Sequence, residues 1–584
     1  MTPTRSRAEG PGGLSTSLSK AAGALRPSAE PAPSKAEGLR VEARLDGAAG
    51  LAIAAGVLSE VEGRLRARAQ VFMAVVVLLA SALACARADV PAPLPEATGT
   101  ASAVPTDPPT EPAPTSGTTP SPSPAPTATV SPAAPEPVVS PTFPSTPTSE
   151  AGPSETILYQ AQPGETLRTL AIRFGVLPSE ITSPGALIET ENALLDVDQL
   201  LLIPRRLGAT GPSLRLIPDS EFVFSPHAAD FDPEAVALRY GGFLARYTEQ
   251  IYGEWHSGPE VLALAARDNS VNPRLLMAML EYVSGWVTRP ERPEGEAFVY
   301  PLGLRDPGEP GLYRQLTWLA NEMGLGYYGW RSGTVTSVRL ADGTRVHLAP
   351  ELNAGTVALQ TFFASRRVQP DWEEAVGPNG FLKTYTTLFG DPWFFYHPLY
   401  EPGLEQPEMI LPFSPGVVWA FTGGPHGAWE REAAWAALDF APPSIKPGCV
   451  PSTEWVVASA PGLVTRSQSG LLVLDLDGDG REETGWVMIY LHLASEDLMP
   501  AGVLVERTAR LGHPSCEGGI ATGTHIHIAR KYNGEWILAD GPLPFTLSGW
   551  QAHAGTRPYQ GALTRDGETV LACPCATSET LISR

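Results

Sequence analysis

Five side chains in the last third of the chain have the types and spacing for hydrolytic metal chemistry. His426 lies in Thr422-Gly423-Gly424-Pro425-His426-Gly427, and Asp439 follows 13 residues later in Ala437-Leu438-Asp439-Phe440. His492 ends the run Ile489-Tyr490-Leu491-His492-Leu493, and His525 and His527 flank Ile526. On a strand, positions i and i+2 share a face, so both imidazoles of the His-x-His step turn towards one cleft. Zinc catalysis needs three nitrogen or oxygen ligands and an open fourth position for water. His426, Asp439 and one of the His525/His527 pair supply such a set. The two histidines left over are available to orient water and stabilise an oxyanion. A lone His-x-His is weak evidence, because buried satisfied histidines are common. Four histidines beside glycines or strand ends, with an Asp-Phe step, are a stronger signal. His513, in Gly512-His513-Pro514, reads as a loop residue.

Together these motifs resemble the β-lytic/staphylolytic branch of the lysostaphin-type zinc metallopeptidases. That branch has Gly-Pro-His-Gly, an Asp about a dozen residues on, and a late His-x-His; the likeness spans residues 411–535. The resemblance implies zinc ligands His426, Asp439 and His527, with His492 and His525 as the catalytic pair. The commoner lysostaphin pattern has a His four residues before the Asp, where this chain has Trp435. His426 must therefore take that ligand's place, or only two ligands remain. Asp475-x-Asp477-x-Asp479-Gly480 resembles the start of a calcium loop, but its twelfth position is Trp486 rather than Glu. Two readings stand: a non-standard calcium site closed by Glu482 or Glu483, or a solvated hairpin turn.

The elements that must position these groups are strands. Trp455–Ala458, Leu471–Leu476, Trp486–Leu493 and His525–Ala529 read as strands with Gly, Pro and Asp between them. Residues 405–584 are thus expected to form a mainly β domain with an antiparallel sheet. Cys449, Cys516, Cys573 and Cys575 all fall in it and predict two disulfides. A bond inside Cys573-Pro574-Cys575 would be strained, so the expectation leans to the other two pairings.

Residues 213–400 read as mainly α. The apolar runs Pro259–Ala266 and Arg274–Leu280, joined at Ser270-Val271-Asn272-Pro273, are similar to the start of a lysozyme-like lytic transglycosylase domain. Such enzymes place a catalytic Glu directly before Ser-Gly, where this chain has Val283-Ser284-Gly285. Valine cannot protonate a glycosidic oxygen, and Glu281 points elsewhere on a helix. The expectation is a non-catalytic lysozyme-like domain, or a helical domain of other origin. Tyr327-Tyr328-Gly329-Trp330 could stack on sugars or pack a core. Residues 156–208 hold Pro163-Gly164-Glu165-Thr166-Leu167, Phe174-Gly175-Val176 and Leu202-Ile203-Pro204, and look like a LysM domain. That resemblance implies a small β-α-α-β fold that binds N-acetylglucosamine chains of peptidoglycan or chitin.

The remaining N-terminal part carries no folded pattern. Of 60 prolines, 18 lie in residues 91–150, so the Pro/Thr/Ser-rich stretch 86–155 reads as a linker. Residues 61–85 combine Arg64, Arg66 and Arg68 with a short apolar run and Ala82-Leu83-Ala84-Cys85, which resembles a lipoprotein signal with Cys85 as the lipidated residue. Residues 1–60 read as an upstream extension ahead of the true start. The expected location is therefore the cell envelope, on a lipid anchor in the membrane, with secretion as the alternative. A net charge of −22 excludes nucleic acid as a partner. The leading functional reading is a zinc endopeptidase of peptidoglycan. The alternative is an inactive scaffold or activator of another wall hydrolase, and a glycan-cleaving enzyme is disfavoured by Val283.

Overall fold

The computed structural model describes residues 155–185, 190–429, 431–444 and 447–584. The expected extension 1–60, the signal segment with Cys85 and the linker up to residue 154 lie outside the described residues. Among the described residues, no helix is long and apolar enough to cross a membrane.

The first folded unit is a two-stranded sheet with one helix. Strand β1 (Thr156–Gln160) pairs antiparallel with β2 (Leu200–Pro204), Thr156 opposite Pro204 and Gln160 opposite Leu200. Helix α1 (Leu167–Phe174) begins at the Thr166 cap, whose hydroxyl accepts from the Thr169 amide, and stops at Gly175 with φ 65°. Leu170, Ala171 and Phe174 pack on Leu201 and Ile203. Between α1 and β2, where the resemblance implies a second helix, the described residues show a 3-10 turn at Pro178–Glu180; residues 186–189 lie outside the described set.

The middle region is mainly helical. Helix α2 (Gly258–Asn269) opens on a Ser257/Glu260 capping box, and α3 (Pro273–Ser284) has Asn272 as cap and Pro273 in its first turn. Helix α4 (Leu312–Ser332) runs through the centre and packs along α5 (Ala354–Ala364). Tyr327, Tyr328 and Trp330 are buried on α4, so this aromatic stretch is core and offers no sugar platform. Val283 is exposed near the end of α3. The Glu281 carboxylate accepts from the amides of Val287 and Thr288 at 3.0 and 3.1 Å, so it caps the following turn.

The C-terminal part is built on a nine-stranded sheet. Its strands are β3 (Trp419–Trp429), β4 (Arg431–Ala441), β5 (Gly462–Gln468), β6 (Leu471–Asp475), β7 (Trp486–Leu491), β8 (Leu504–Val505), β9 (Ile526–Tyr532) and β10 (Leu581–Ile582), in the order β8-β5-β6-β7-β9-β4-β3-β10, with Glu535–Trp536 pairing β9. Neighbours are antiparallel throughout.

Strand β7, Trp-Val-Met-Ile-Tyr-Leu, is buried along its whole length because both sheet faces are covered. Val487, Ile489 and Leu491 face the core shared with the middle helices, and Met488 and Tyr490 face a second core within the β domain. Each fully buried aliphatic side chain of this kind contributes about 1.5–3 kcal/mol relative to exposure.

Buried polar groups join the three parts. The Arg331 guanidinium of α4 pairs with Glu535 at 2.9 Å and Asp219 at 3.2 Å, and donates to the Pro163 carbonyl of the first unit. Arg466 of β5 reaches Asp268 of α2 at 2.6 Å, and Ser270 donates to the Gly534 carbonyl at 2.7 Å.

The disulfides are Cys449–Cys516 and Cys573–Cys575, which corrects the expectation against a bond within the Cys-Pro-Cys step. The chain turns tightly at Pro574: the Cys575 amide donates to the Cys573 carbonyl at 2.6 Å, and the two Cα atoms lie 5.1 Å apart. That turn brings the side chains within ordinary bridging range.

Candidate metal centre

The hairpin β3–β4 sets the first ligand. Pro425 has no amide hydrogen for the ladder, and the register slips across it, between Gly423 and His426, as well as before it at Phe421/Gly423 and after it at His426/Gly427. Such a bulge re-aims a side chain. Here it places His426 on the same side as Asp439 of β4, which stands opposite both Gly423 and, on the other flank, His527 of β9. His492 follows the last residue of β7, with φ 68°. That strained position is held by Ser515, whose amide and hydroxyl both donate to the His492 carbonyl, at 2.6 and 3.1 Å.

The four imidazoles obey one rule. Each has a ring nitrogen on a backbone carbonyl, which can only accept, so that nitrogen carries the hydrogen. His426 Nδ1 donates to Gly424 at 2.8 Å, His527 Nε2 to Ala428 at 3.1 Å, His525 Nδ1 to Gly523 at 2.7 Å and His492 Nδ1 to Glu517 at 2.8 Å. In a ring that holds a single proton the other nitrogen is then a lone pair, the form that binds a metal. His426 Nε2 and His527 Nδ1 lie 3.0 Å apart, and Asp439 Oδ1 is 3.3 and 3.2 Å from them.

Three lone pairs thus converge with no hydrogen between them, and Asp439 Oδ1 is buried without a hydrogen-bond partner. A divalent cation resolves this arrangement, and the nitrogen-nitrogen-carboxylate set suits zinc. Among the described residues, His426, Asp439 and His527 form a group whose ligand atoms all lie within 4.8 Å of one another. All three are buried.

The electrostatics agree. Burial alone would raise the Asp439 carboxyl, but His426, His527 and His525 outweigh it and hold it well below its usual range. His492 is pushed down to about 3 by burial and by His525 and His527, so its ring is neutral near pH 7. His525 is half-buried; its Nε2 lies 3.8 Å from Asp439 Oδ1, and its ring centre is 4.5 Å from that of His492.

Two features of this centre have no clear signal in the sequence. Tyr559 stacks on His426 with ring centres 4.1 Å apart, brought in by a bridge to Gly424 from 135 residues along the chain. The Glu517 carbonyl that orients His492 is fixed beside the Cys449–Cys516 bond.

The other candidates lie outside the centre. Trp435 is opposite Gly427, and its carbonyl accepts from Ala539. His513 lies in a loop against Trp455, its Nδ1 on the Glu454 carbonyl. Asp475, Asp477 and Asp479 do cluster, but Asp475 already accepts from the amides of Asp477, Gly478 and Gly480, as an acidic turn does.

Sheet and site together give the C-terminal part a His426/Asp439/His527 group of the kind a zinc-dependent hydrolase needs. The N-terminal domain of LasA, as a sequence family, matches residues 215–402. Two proteins named Protease LasA, from Pseudomonas aeruginosa strains UCBPP-PA14 and PAO1, are each 23% identical to this chain over 385 residues, covering 61% of this chain and 82% of theirs. Among solved structures, the deep-sea M23 metalloprotease pseudoalterin is 25% identical over 29% of this chain and 96% of its own, with a TM-score of 0.25. The catalytic domain of lysostaphin from Staphylococcus simulans is 18% identical over 21% of this chain and 87% of its own, with a TM-score of 0.15.

Proposed function

We propose that this chain is an exported zinc endopeptidase that hydrolyses peptide bonds in peptidoglycan. The observation that carries the reading is the convergence of His426 Nε2, His527 Nδ1 and the Asp439 Oδ1 atom that lacks a hydrogen-bond partner, with His525 and His492 beside them. In this reading His426, Asp439 and His527 hold the zinc. When bound there, zinc polarises a scissile carbonyl and makes water acidic enough to attack near neutral pH. His492 and His525 border the cleft with Nε2. Through that nitrogen an imidazole can take a proton from attacking water and then hand it to the leaving amine. The complete set argues against the scaffold reading, in which some of these groups would be dispensable.

Residues 156–208 serve as a LysM-type anchor on N-acetylglucosamine chains, and Cys85 as a lipid attachment. The β1-α1-β2 order and the Thr166 and Gly175 caps support the first assignment; the second rests on sequence alone. The middle region is non-catalytic, since Val283 stands where a lysozyme-like acid would be and Glu281 is committed to a turn. The Asp475–Asp479 turn is assigned no calcium. The test is digestion of purified peptidoglycan by the full chain, with mass spectrometry of the fragments. New amino termini within stems or cross-bridges are expected, lost on Asp439→Ala. Intact stems after digestion, with a full complement of zinc bound, would move the assignment to the scaffold.

A further inference from the structure

A cleft of about 650 Å³ opens between the first unit and the segment that follows the middle helices. Gln160 and Asp198 border it on one side, Trp393 and Tyr396 on the other, and Arg215 and Glu351 lie between. The backbone that carries the aromatic wall is tied down by hydrogen bonds. Trp393 sits on the 3-10 turn Pro392–Phe395, and its amide donates to the Asp391 carboxylate at 3.0 Å. Ser220 ties the end of that turn, donating to the Phe395 carbonyl at 3.0 Å and accepting from the His397 amide at 3.1 Å.

Trp393 is 36% and Tyr396 46% exposed, with ring centres 6.3 Å apart, so two aromatic side chains remain open to a ligand. The Arg215 plane is set by two bonds to the Glu351 carbonyl, at 2.8 and 3.2 Å. The Tyr396 phenol is pushed up by burial and by Asp198 and Asp219, which places the first unit's Asp198 within electrostatic reach of the opposite wall.

We propose that this cleft binds a chain of N-acetylated sugars from both sides, with Trp393 and Tyr396 as the stacking wall supplied by the middle region. Sugar rings present apolar C–H faces to aromatic rings, and their hydroxyls and acetamido N–H groups donate to carboxylates such as Asp198 and Glu351. Arg215 supplies the donor for an acetamido carbonyl. The same carboxylates repel phosphate polymers, and the volume lies in the range of sites that enclose a small ligand. The proposal rests on the reading of residues 156–208 as a glycan module and gives it a second wall from another part of the chain.

The experiment is calorimetric titration of the full chain with the hexamer of N-acetylglucosamine. The glucose hexamer and a short Lys-rich peptide are the comparison ligands, and melting curves of every variant show that it is folded. Truncating a buried aromatic anchor typically removes a large share of binding, so Trp393→Ala should weaken binding by about 10-fold, and Trp393→Phe should restore most of it. Asp198→Ala should also weaken binding, while Trp255→Ala, exposed but outside the cleft, should not change it. Binding weakened by Asp198→Ala but untouched by Trp393→Ala and Tyr396→Ala overturns the second wall and leaves the glycan-module reading intact. Binding weakened only by the aromatic variants overturns the two-sided grip and counts against the module. No binding of the N-acetylated hexamer, or stronger binding of the peptide, overturns both.

Discussion

Gly423→Ala is expected to strip the metal centre while leaving the sheet folded. A Cβ at Gly423 would fall 2.4 Å from Asp439 Oδ2 and 2.9 Å from its Cβ and Cγ. Ordinary contact begins at 3.4 Å, so the carboxylate would have to withdraw by about 1 Å. The strand cannot carry Asp439 away as a whole, because β4 is held in register by β3 and β9 on its two sides. The shift must come from the side chain, and metal–ligand distances tolerate only about 0.2 Å. Alanine itself suits the backbone there, since Gly423 is not among the positive-φ glycines. With one of three ligands displaced, zinc affinity should fall by about 10- to 100-fold or more, and peptide cleavage should fall with it at limiting metal. The assay is competition for zinc with a chelator of known affinity, with cleavage measured across added zinc. Gly208→Ala, which meets nothing within 4 Å, is the control. A Gly423→Ala protein that holds zinc as tightly as its parent would refute the geometry of the centre.

Further outcomes can be checked separately. His426→Ala should lose both zinc and cleavage, while His525→Ala should keep zinc and lose about 100-fold or more in rate; zinc content and peptide turnover decide the two roles. Cys449→Ser should lower kcat more than zinc content, because Cys516 is next to Glu517, whose carbonyl orients His492; unchanged kcat would remove that link. With Asp439→Ala, the full chain should release no anhydro-muropeptides, and their appearance would mean that the middle region cleaves glycan. Burial raises the Glu482 carboxyl, but Arg466 at 2.5 Å and Lys531 outweigh it, so its folded pKa is depressed. That stability is present above the unfolded value of about 4.3 and is lost as pH falls through the folded value. Melting temperature should drop through this acid range, and Glu482→Gln should flatten the drop.

What was legible in the sequence was what depends on local pattern. Thr166, Gly175 and the apolar strand runs set off by Gly, Pro and Asp declare their elements, because caps and turns are decided by near neighbours. Spacing left His525 and His527 as alternatives for the third ligand and only the resemblance implied His527; the structure groups His426 and Asp439 with His527 because β9 pairs directly with β4. The Cys573–Cys575 bond was missed because a generic strain argument ignored how far a proline turn brings i and i+2 together. Tyr559 was missed because nothing near it in the chain encodes its stacking on His426. The aromatic run on α4 gave an ambiguous signal because Tyr and Trp serve cores and ligands alike; only the burial of α4 between α5 and the β domain separates the two. Trp393 and Tyr396 drew no notice because their partners across the cleft come from a unit about 200 residues earlier.

The Arg331 guanidinium has a consequence for reach. One buried cation touches the first unit at Pro163, the middle region at Asp219 and the peptidase domain at Glu535. Arg173 of the first unit adds a bond to the Trp330 carbonyl at 2.8 Å. A tethered hydrolase sweeps a volume and cuts whatever enters it. On the function proposed above, these contacts between the first unit and the rest would let a glycan strand held by the one present its peptides at a set offset to the zinc site. Stems would then be selected by their phase along the glycan rather than by chance encounter.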